Sequence, residues 1–297
     1  MKLIELLDQE AARLEQSGVF FGHGTLNAFD EAAWLLLWRL GLPLDDLDGV
    51  AEQKLTPTEV QQVRSLVDQR IQSRLPAAYL TQEAWLQGVP FYVDERSIVP
   101  RSLIAEPLAE GALDALLGRE PTRVLDLCTG NGSLAILAAM AWPQAQVDAS
   151  DLSAAALEVA QINRERHHLQ ARIQLLQGDG WAAVEGRRYE LVLCNPPYVN
   201  ADSMQALPAE YRAEPAMALA GGKDGMDFIR PLLRQAAQHL HEDAFLVLEI
   251  GNEAPHFVAA FPNLDVIWLN SSAGDDQVLA IDAASLRRHA NIQASSA

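Results

Sequence analysis

Cationic side chains are scarce in this chain. Against 40 Asp and Glu stand 22 Lys and Arg in 297 residues, a formal charge of −18. Polyanion binding draws on clustered Lys and Arg, so this balance argues against nucleic acid held by phosphate contacts and against an anionic membrane surface. A basic partner, by contrast, would be drawn in by the field. Cysteine is almost absent. Cys128 and Cys194 are too few for a disulfide framework and sit in apolar surroundings, which predicts buried, reduced thiols in a cytoplasmic protein. No apolar run reaches the ~18 residues of a membrane-spanning helix. The opening MKLIELLDQEAARLE reads as an acidic amphipathic helix rather than a signal peptide. No His, Cys and carboxylate spacing matches a metal site. Ser102 and Ser133 lack a base partner for a hydrolase triad.

What is present is ordinary globular composition, 49% hydrophobic and 21% charged, in a chain long enough for about two domains. Residues 1–84 carry helical periodicity. Ile4, Leu7, Ala11 and Leu14 share one face. Asn27 or Asp30 caps a helix bearing Ala33, Leu36, Leu37 and Leu40, closed by Gly41 and Pro43. Thr56-Pro57-Thr58-Glu59 is a capping box with proline at the first helical position. Trp34 and Trp38, four apart on a helix, are expected as core or domain-docking aromatics, with a peptide-binding surface as the lesser reading. Residues 85–100 predict a β-hairpin linker with its turn at 94–97.

From 101 to 288 short apolar strands alternate with helices. Strands are expected at 124–127, 146–149, 173–176, 189–194 and 245–250, and helices at 133–141, 153–167 and 227–240. This rhythm predicts an α/β unit with a parallel sheet covered on both faces. Runs at 266–269 and 277–281, with a Gly274-Asp275 turn, predict an antiparallel edge hairpin. Residues 289–297 read as a flexible tail.

Asp126-Leu127-Cys128-Thr129-Gly130-Asn131-Gly132-Ser133 follows a strand and opens a helix. Its glycines permit a tight turn and close ligand approach, and the helix N-terminus offers free N–H groups. Asp151 ends the next strand, where a doubly wound fold places its ribose-binding acid. Asp126 lies inside an apolar strand, so a cationic ligand group or loop N–H donors must compensate it. A pyrophosphate would be repelled there, whereas the ammonium and sulfonium of S-adenosyl-L-methionine would not. Asp179 ends the following strand, either to meet an adenine amino group or as a turn residue, and Trp181 could stack beside it.

Asn195-Pro196-Pro197-Tyr198 is the most specific feature. It follows the apolar strand Leu191-Val192-Leu193-Cys194. Two prolines stiffen the backbone and remove donors. The Asn195 oxygen and the Pro196 carbonyl could hold both hydrogens of a planar amide, with Tyr198 supplying a flat face. An amide nitrogen is a poor nucleophile, so such positioning would aim its lone pair at an electrophilic methyl.

With these motifs the chain resembles the glutamine N(5)-methyltransferases that modify translation proteins. The DLCTGNG loop, Asp151, NPPY and EYRAEPAMALAGGKDGMDFIR carry the likeness. HGTLNAFDEAAWLLLWRLGLPLD, RLPAAYLTQEAWLQGVPFYVDERSIVPRS and LEIGN are similar to the branch acting on the large-subunit ribosomal protein L three. The resemblance implies a Rossmann-like class I methyltransferase sheet of seven strands, a small helical N-terminal domain for substrate recognition, and a hairpin linker. It implies S-adenosyl-L-methionine bound by Asp126, Cys128, Thr129, Gly130, Asn131, Gly132, Asp151, Leu152, Asp179, Gly180, Trp181 and Asn195. Asn195, Pro196, Pro197 and Tyr198 would hold the glutamine amide. Arg101 and Glu106 would lie near the pocket, and Glu210, Arg212 and Glu214 on the substrate side. Asn131 departs from the Ser or Thr more usual between the glycines.

The charge balance separates this reading from the NPPY enzymes that methylate nucleic-acid adenine. The first hundred residues carry 8 Lys and Arg against 15 acids, and the remaining 197 carry 14 against 25. Neither part offers a positive excess, and a basic ribosomal protein is the better match. A release-factor substrate and a non-catalytic assembly factor are the competing readings. His23 reads as a flexible loop histidine. Gly221-Gly222-Lys223-Asp224-Gly225 lacks the spacing of a phosphate loop.

Overall fold

Caps set the helical part of the chain. A computed structural model describes residues 1–295, with side-chain surroundings for 1–292. α1 (Leu3–Ser17), α2 (Ala28–Leu40), α3 (Leu47–Val50), α4 (Pro57–Ser73) and α5 (Ala77–Thr81) follow in order. Asn27 Oδ1 accepts the Asp30 N–H at 2.9 Å, and left-handed Gly41 ends α2. At α4 Thr56 and Glu59 exchange both capping-box bonds. Leu3, Leu6, Leu7 and Leu14 of α1 meet Leu35, Leu36 and Leu37 of α2 and Val63 and Val67 of α4 in one apolar core.

The linker hairpin is shorter than its sequence suggests. β1 (Ala84–Leu86) and β2 (Val89–Phe91) pair antiparallel. The turn is Gln87-Gly88, with φ of +50° and +73°, the doubly positive geometry that matches strand twist in two-residue hairpins. Residues 94–97 are therefore not its turn. There the Asp94 carboxylate accepts from Tyr92 Oη, the Arg96 backbone N–H and the Arg96 guanidinium.

After α6 (Ala105–Ala109) and α7 (Ala112–Leu117) come seven strands. They are β3 (Arg123–Leu127), β4 (Gln146–Asp151), β5 (Ile173–Gln177), β6 (Tyr189–Cys194), β7 (Leu240–Glu249), β8 (Ile267–Ser271) and β9 (Gly274–Asp282). Their order is β5-β4-β3-β6-β7-β9-β8, all parallel except β9, which is antiparallel to both neighbours. Alternate residues feed opposite layers: Val124 joins one core with Leu134 and Ile136, while Leu125 joins the other with Ile229 and Leu233. α8 (Ser133–Ala141), α9 (Ala154–Arg166), α10 (Ala201–Ala206), α11 (Ala209–Arg212), α12 (Ile229–Ala236), α13 (Ala254–Ala260) and α14 (Ala283–Ser295) complete the chain.

Three boundaries differ from expectation. α12 stops at Ala236, because Leu240 already pairs with Tyr189 at the start of β7. β9 begins at Gly274, which pairs with Ser271, so Ser272 and Ala273 form the turn. Residues 289–295 of the expected flexible tail continue α14, with His289 buried against Phe261, while 296 and 297 lie outside the described residues. Among the described residues no helix is long and apolar enough to cross a membrane.

Candidate functional site

β3 and β6 lie side by side, with Leu127 opposite Cys194. From here the chain winds outward in two directions, toward β4 and β5 on one side and β7 on the other. A crevice opens at the carboxyl ends of strands at such a switch point. The register brings the 128–132 loop beside Asn195.

In that loop Cys128, Gly130 and Gly132 all have left-handed φ, of +64°, +55° and +82°. A Cβ at Gly132 would lie 3.2 Å from the Ala160 Cβ, so glycine there lets α9 close on the start of α8. Asp151, at the end of β4, accepts the Gly130 N–H at 2.9 Å on one oxygen and the Ser153 N–H at 2.8 Å on the other. Burial raises its pKa, and these bonds oppose the rise. Each oxygen keeps capacity for a ligand hydroxyl. Cys128, Gly130, Asp151, Leu152, Asp179, Gly180, Asn195 and Pro197 all line the pocket, with Ile98, Met217 and Phe228 adding apolar walls. Asp179 precedes the short turn at 180–184 without capping it. Cys128 is half-buried in the pocket wall rather than fully buried as expected, and Cys194 lies behind it. Hydrogen bonding to the Cys194 thiol, and then burial, push the Cys128 thiol well above its usual range, which leaves it protonated.

Asp126 does not line this pocket. Its Oδ2 accepts from Thr129 Oγ1 at 2.5 Å and from the Ala135 N–H at 2.9 Å. Of the two compensations open on sequence, the loop donors are the one realised. Burial pushes the carboxyl up to about 7. Thr129 and Asn131 are likewise buried behind the loop. The Asn131 side chain accepts the Ser133 N–H, and its backbone carbonyl accepts from Asn163 Nδ2 at 2.9 Å. Asn163 also exchanges both bonds with the Tyr92 backbone, tying the linker to the loop. A lone Asn on a helix gave no sequence signal for this role. Trp181 is a core residue, not a stacking surface. Its ring stacks on His239 at 4.5 Å and its Nε1–H donates to the Leu232 carbonyl.

Within NPPY, Asn195 lines the pocket, and its side chain makes no hydrogen bond to any described residue. Pro196 is buried behind it. Tyr198 is not a pocket face. Its hydroxyl donates to Glu249 Oε1 at 3.0 Å. Glu249 Oε2 accepts from Ser102 Oγ at 2.6 Å and the Leu103 N–H at 2.9 Å, and burial raises its pKa. A carboxylate inside the apolar run FLVLEIG carries the same sequence signal as Asp126. The 221–225 glycines close the back of the tetrapeptide: a Cβ at Gly221 would lie 2.7 Å, and one at Gly225 2.3 Å, from the Tyr198 main chain.

Three of the remaining candidates, Arg101, Glu210 and Glu214, belong to a seam with the helical unit. Glu214 takes both Nη groups of Arg101, at 2.6 and 2.7 Å, and the Val99 N–H. His23 lies 3.5 Å from it and is 3% exposed, so it is not a flexible loop histidine. Burial alone would raise the Glu214 carboxyl, but Arg101 and His23 hold it at about 2. Glu210 accepts from Arg74 Nη2 at 3.2 Å, Arg70 Nη1 at 3.3 Å and the Phe20 N–H at 3.0 Å. Arg101, Glu210 and Glu214 are thus committed to each other or to the helical unit rather than open to a substrate. Arg212 turns back to the Leu207 carbonyl. Glu106 accepts from Ser272 at the β8–β9 turn, away from the pocket. No group of metal-ligating residues exists among the described residues.

Residues 111–212 match the methyltransferase small domain family. The chain is 50% identical over 290 residues to the ribosomal protein uL3 glutamine methyltransferase of Burkholderia pseudomallei, covering 95% of this chain and 94% of that one. It is 51% identical over 280 residues to the protein of the same name in Bordetella pertussis, covering 93% of each. Identity to the Xanthomonas campestris pv. campestris protein of that name is 40% over 287 residues, covering 97% and 93%. Among solved structures, the hMettl16 catalytic domain in complex with a MAT2A 3′UTR hairpin is similar at TM-score 0.51 and 12% identity, over 76% of this chain and 81% of that one. That likeness bears on the fold alone.

Proposed function

The chain belongs to the family of ribosomal protein uL3 glutamine methyltransferases, and from that premise we propose that it methylates a glutamine side-chain amide nitrogen of uL3. The observation that carries the chemistry is Asn195, which follows β6, lines the pocket beside Pro197 and has no hydrogen bond to commit its side chain elsewhere. Its oxygen and the Pro196 carbonyl accept the two amide hydrogens, which localises the nitrogen lone pair. No general base is required, because the work is positioning and electrostatics.

The pocket fits S-adenosyl-L-methionine. Asp151 sits where ribose hydroxyls need an acceptor, and Asp179 keeps a carboxylate free for an adenine amino group. Ile98, Met217 and Phe228 offer apolar contact to a flat base. When bound, the cofactor supplies an electrophilic methyl on a sulfonium sulfur. Asp126 acts from behind, holding the loop through Thr129 and Ala135, and Tyr198 holds the tetrapeptide in place through Glu249. The acidic chain suits a basic protein substrate and disfavours direct nucleic-acid binding. A ribosomal protein substrate places the reaction in the cytoplasm.

The test is methyl transfer from labelled cofactor to purified uL3, a release factor and protein-free nucleic acid, side by side. Label on uL3, lost when its target glutamine is replaced, is the expected result. Label on the release factor alone would keep the active-site chemistry and overturn the substrate. Bound cofactor with no label on any acceptor would favour a non-catalytic assembly factor.

A further inference from the structure

A second cleft opens between the start of α2, the 44–47 loop and the β1–β2 hairpin. Phe29, Trp34 and Trp85 wall it, and Phe29 and Trp85 are 42% and 45% exposed. Large aromatics left exposed together in one concave surface mark a binding site. Trp85 is held in place, since its Nε1–H donates to Glu83 Oε1 at 2.8 Å. Two exposed carboxylates, Asp30 and Asp45, line the same cleft, and no Lys or Arg does. Aromatic faces beside carboxylates suit a cation on an apolar stem. The rings attract the charge through their quadrupoles, the stem packs on them, and the acids pair with the head.

The cleft adjoins the cofactor pocket. Pro100 lines the cleft, while Ser97 and Ile98 line the pocket. From Ile98 to Pro100 is about 7 Å of chain at full extension. His23 also lines the cleft and touches Glu214, whose carboxylate holds Arg101 and the Val99 N–H. A peptide crossing from cleft to pocket would therefore pass over a short segment that the seam fixes.

We propose that this cleft binds an arginine or lysine side chain of uL3, on an extended segment flanking the target glutamine. The identity of the protein rests on the function proposed above; the cationic chemistry rests on the cleft itself. The site sets KM for the protein substrate without touching the cofactor.

Steady-state methylation of uL3 by the full-length enzyme tests it. Asp45→Lys and Trp85→Ala should each raise KM for uL3 tenfold or more. The Kd for S-adenosylhomocysteine should stay within about twofold of wild type. Asp243→Lys makes the same charge change at an exposed position of β7 outside the cleft and should leave KM unchanged. An unchanged KM in Asp45→Lys, or an equal rise in Asp243→Lys, overturns the proposal. If the wild-type enzyme transfers nothing to uL3, the substrate reading has failed, and the cleft is judged on a capped Gly-Arg-Gly peptide against its neutral citrulline twin. Indole N–H NMR signals of Trp34 and Trp85 that move with the first peptide and not the second support the cleft. Equal behaviour of the two peptides overturns it.

Discussion

At the strand ends, Asp126 and Asp151 are held by a hydroxyl and by backbone N–H groups, with no cation against either. At the seam, Glu210 and Glu214 are held by Arg70, Arg74 and Arg101. Both regions bury carboxylates, and the difference in partner reverses the electrostatics. Neutral donors leave Asp126 raised to about 7, while cations hold Glu214 at about 2. The reach differs too. Asp126 and Asp151 bond to residues 2 to 21 positions away, whereas the Glu210 and Glu214 side chains bond to residues 113 to 190 positions away. The pocket is a local device on one sheet. The seam welds the loop after NPPY to another part of the chain.

The largest expected effect falls on the seam. Glu210→Ala leaves Arg70, itself 1% exposed, with only Glu31 as its acidic partner. Breaking such a pair costs about 3–5 kcal/mol. Chemical denaturation should show that loss, while the Kd for S-adenosylhomocysteine, measured on the folded fraction, stays near wild type. A matching collapse of cofactor affinity would mean that pocket and seam are one unit.

Asn195→Ala should lower kcat about 100- to 1000-fold, the cost of losing a positioned polar group at the reacting centre, with cofactor affinity within about threefold. Equal loss of turnover and affinity would remove Asn195 from the substrate side. Asp151→Ala should do the reverse, weakening cofactor binding about 10- to 100-fold in a calorimetric titration. An unchanged Kd there would refute the ribose assignment.

The two regions should also respond to pH with opposite sign. Glu214 has its folded pKa depressed to about 2 from 4.5, so its stabilisation is complete above 4.5 and is lost as pH falls toward 2. Asp126 has its folded pKa raised to about 7 from 3.8, so between these values the folded protein holds a proton that the unfolded chain has released. Its contribution to stability therefore declines as pH rises from about 4 to 7. Unfolding free energies across this range should show Asp126→Asn flattening the neutral slope and leaving the acid one. A neutral slope unchanged in Asp126→Asn would mean that Asp126 ionises freely. The smallest effect is Thr56→Ala, which removes the α4 cap for about 1 kcal/mol and should leave uL3 KM and cofactor Kd unmoved.

Motifs whose partners are near in sequence were legible. Thr56 and Glu59 form the capping box their spacing implies, and of the two candidate caps Asn27 is the one that holds α2. Asp151 ends its strand as the alternation places it, and there it also accepts the Gly130 N–H. The hairpin turn was misplaced because Asp94-Glu95-Arg96-Ser97 is polar enough to read as a turn. The two-residue Gln87-Gly88 link shows only in the backbone, as paired positive φ values. Trp181 differs from its sequence expectation for another reason. Its position after Asp179 is one a ligand contact would occupy, and only its stacking on His239 puts it in the core.

By itself the sequence determined the alternating strands and helices, the loop between Asp126 and Ser133, and the rigid Asn195-Pro196-Pro197-Tyr198 turn after its strand. Each of these follows from backbone preference and hydrophobic period within a short window. Tertiary structure alone decided which acids face the pocket and which lock the seam. In the linear chain nothing marks Glu210 and Glu214 as the partners of guanidinium groups. Their roles depend on whether folding brings a guanidinium or a backbone N–H within about 3 Å, and that is settled by packing between segments more than a hundred residues apart.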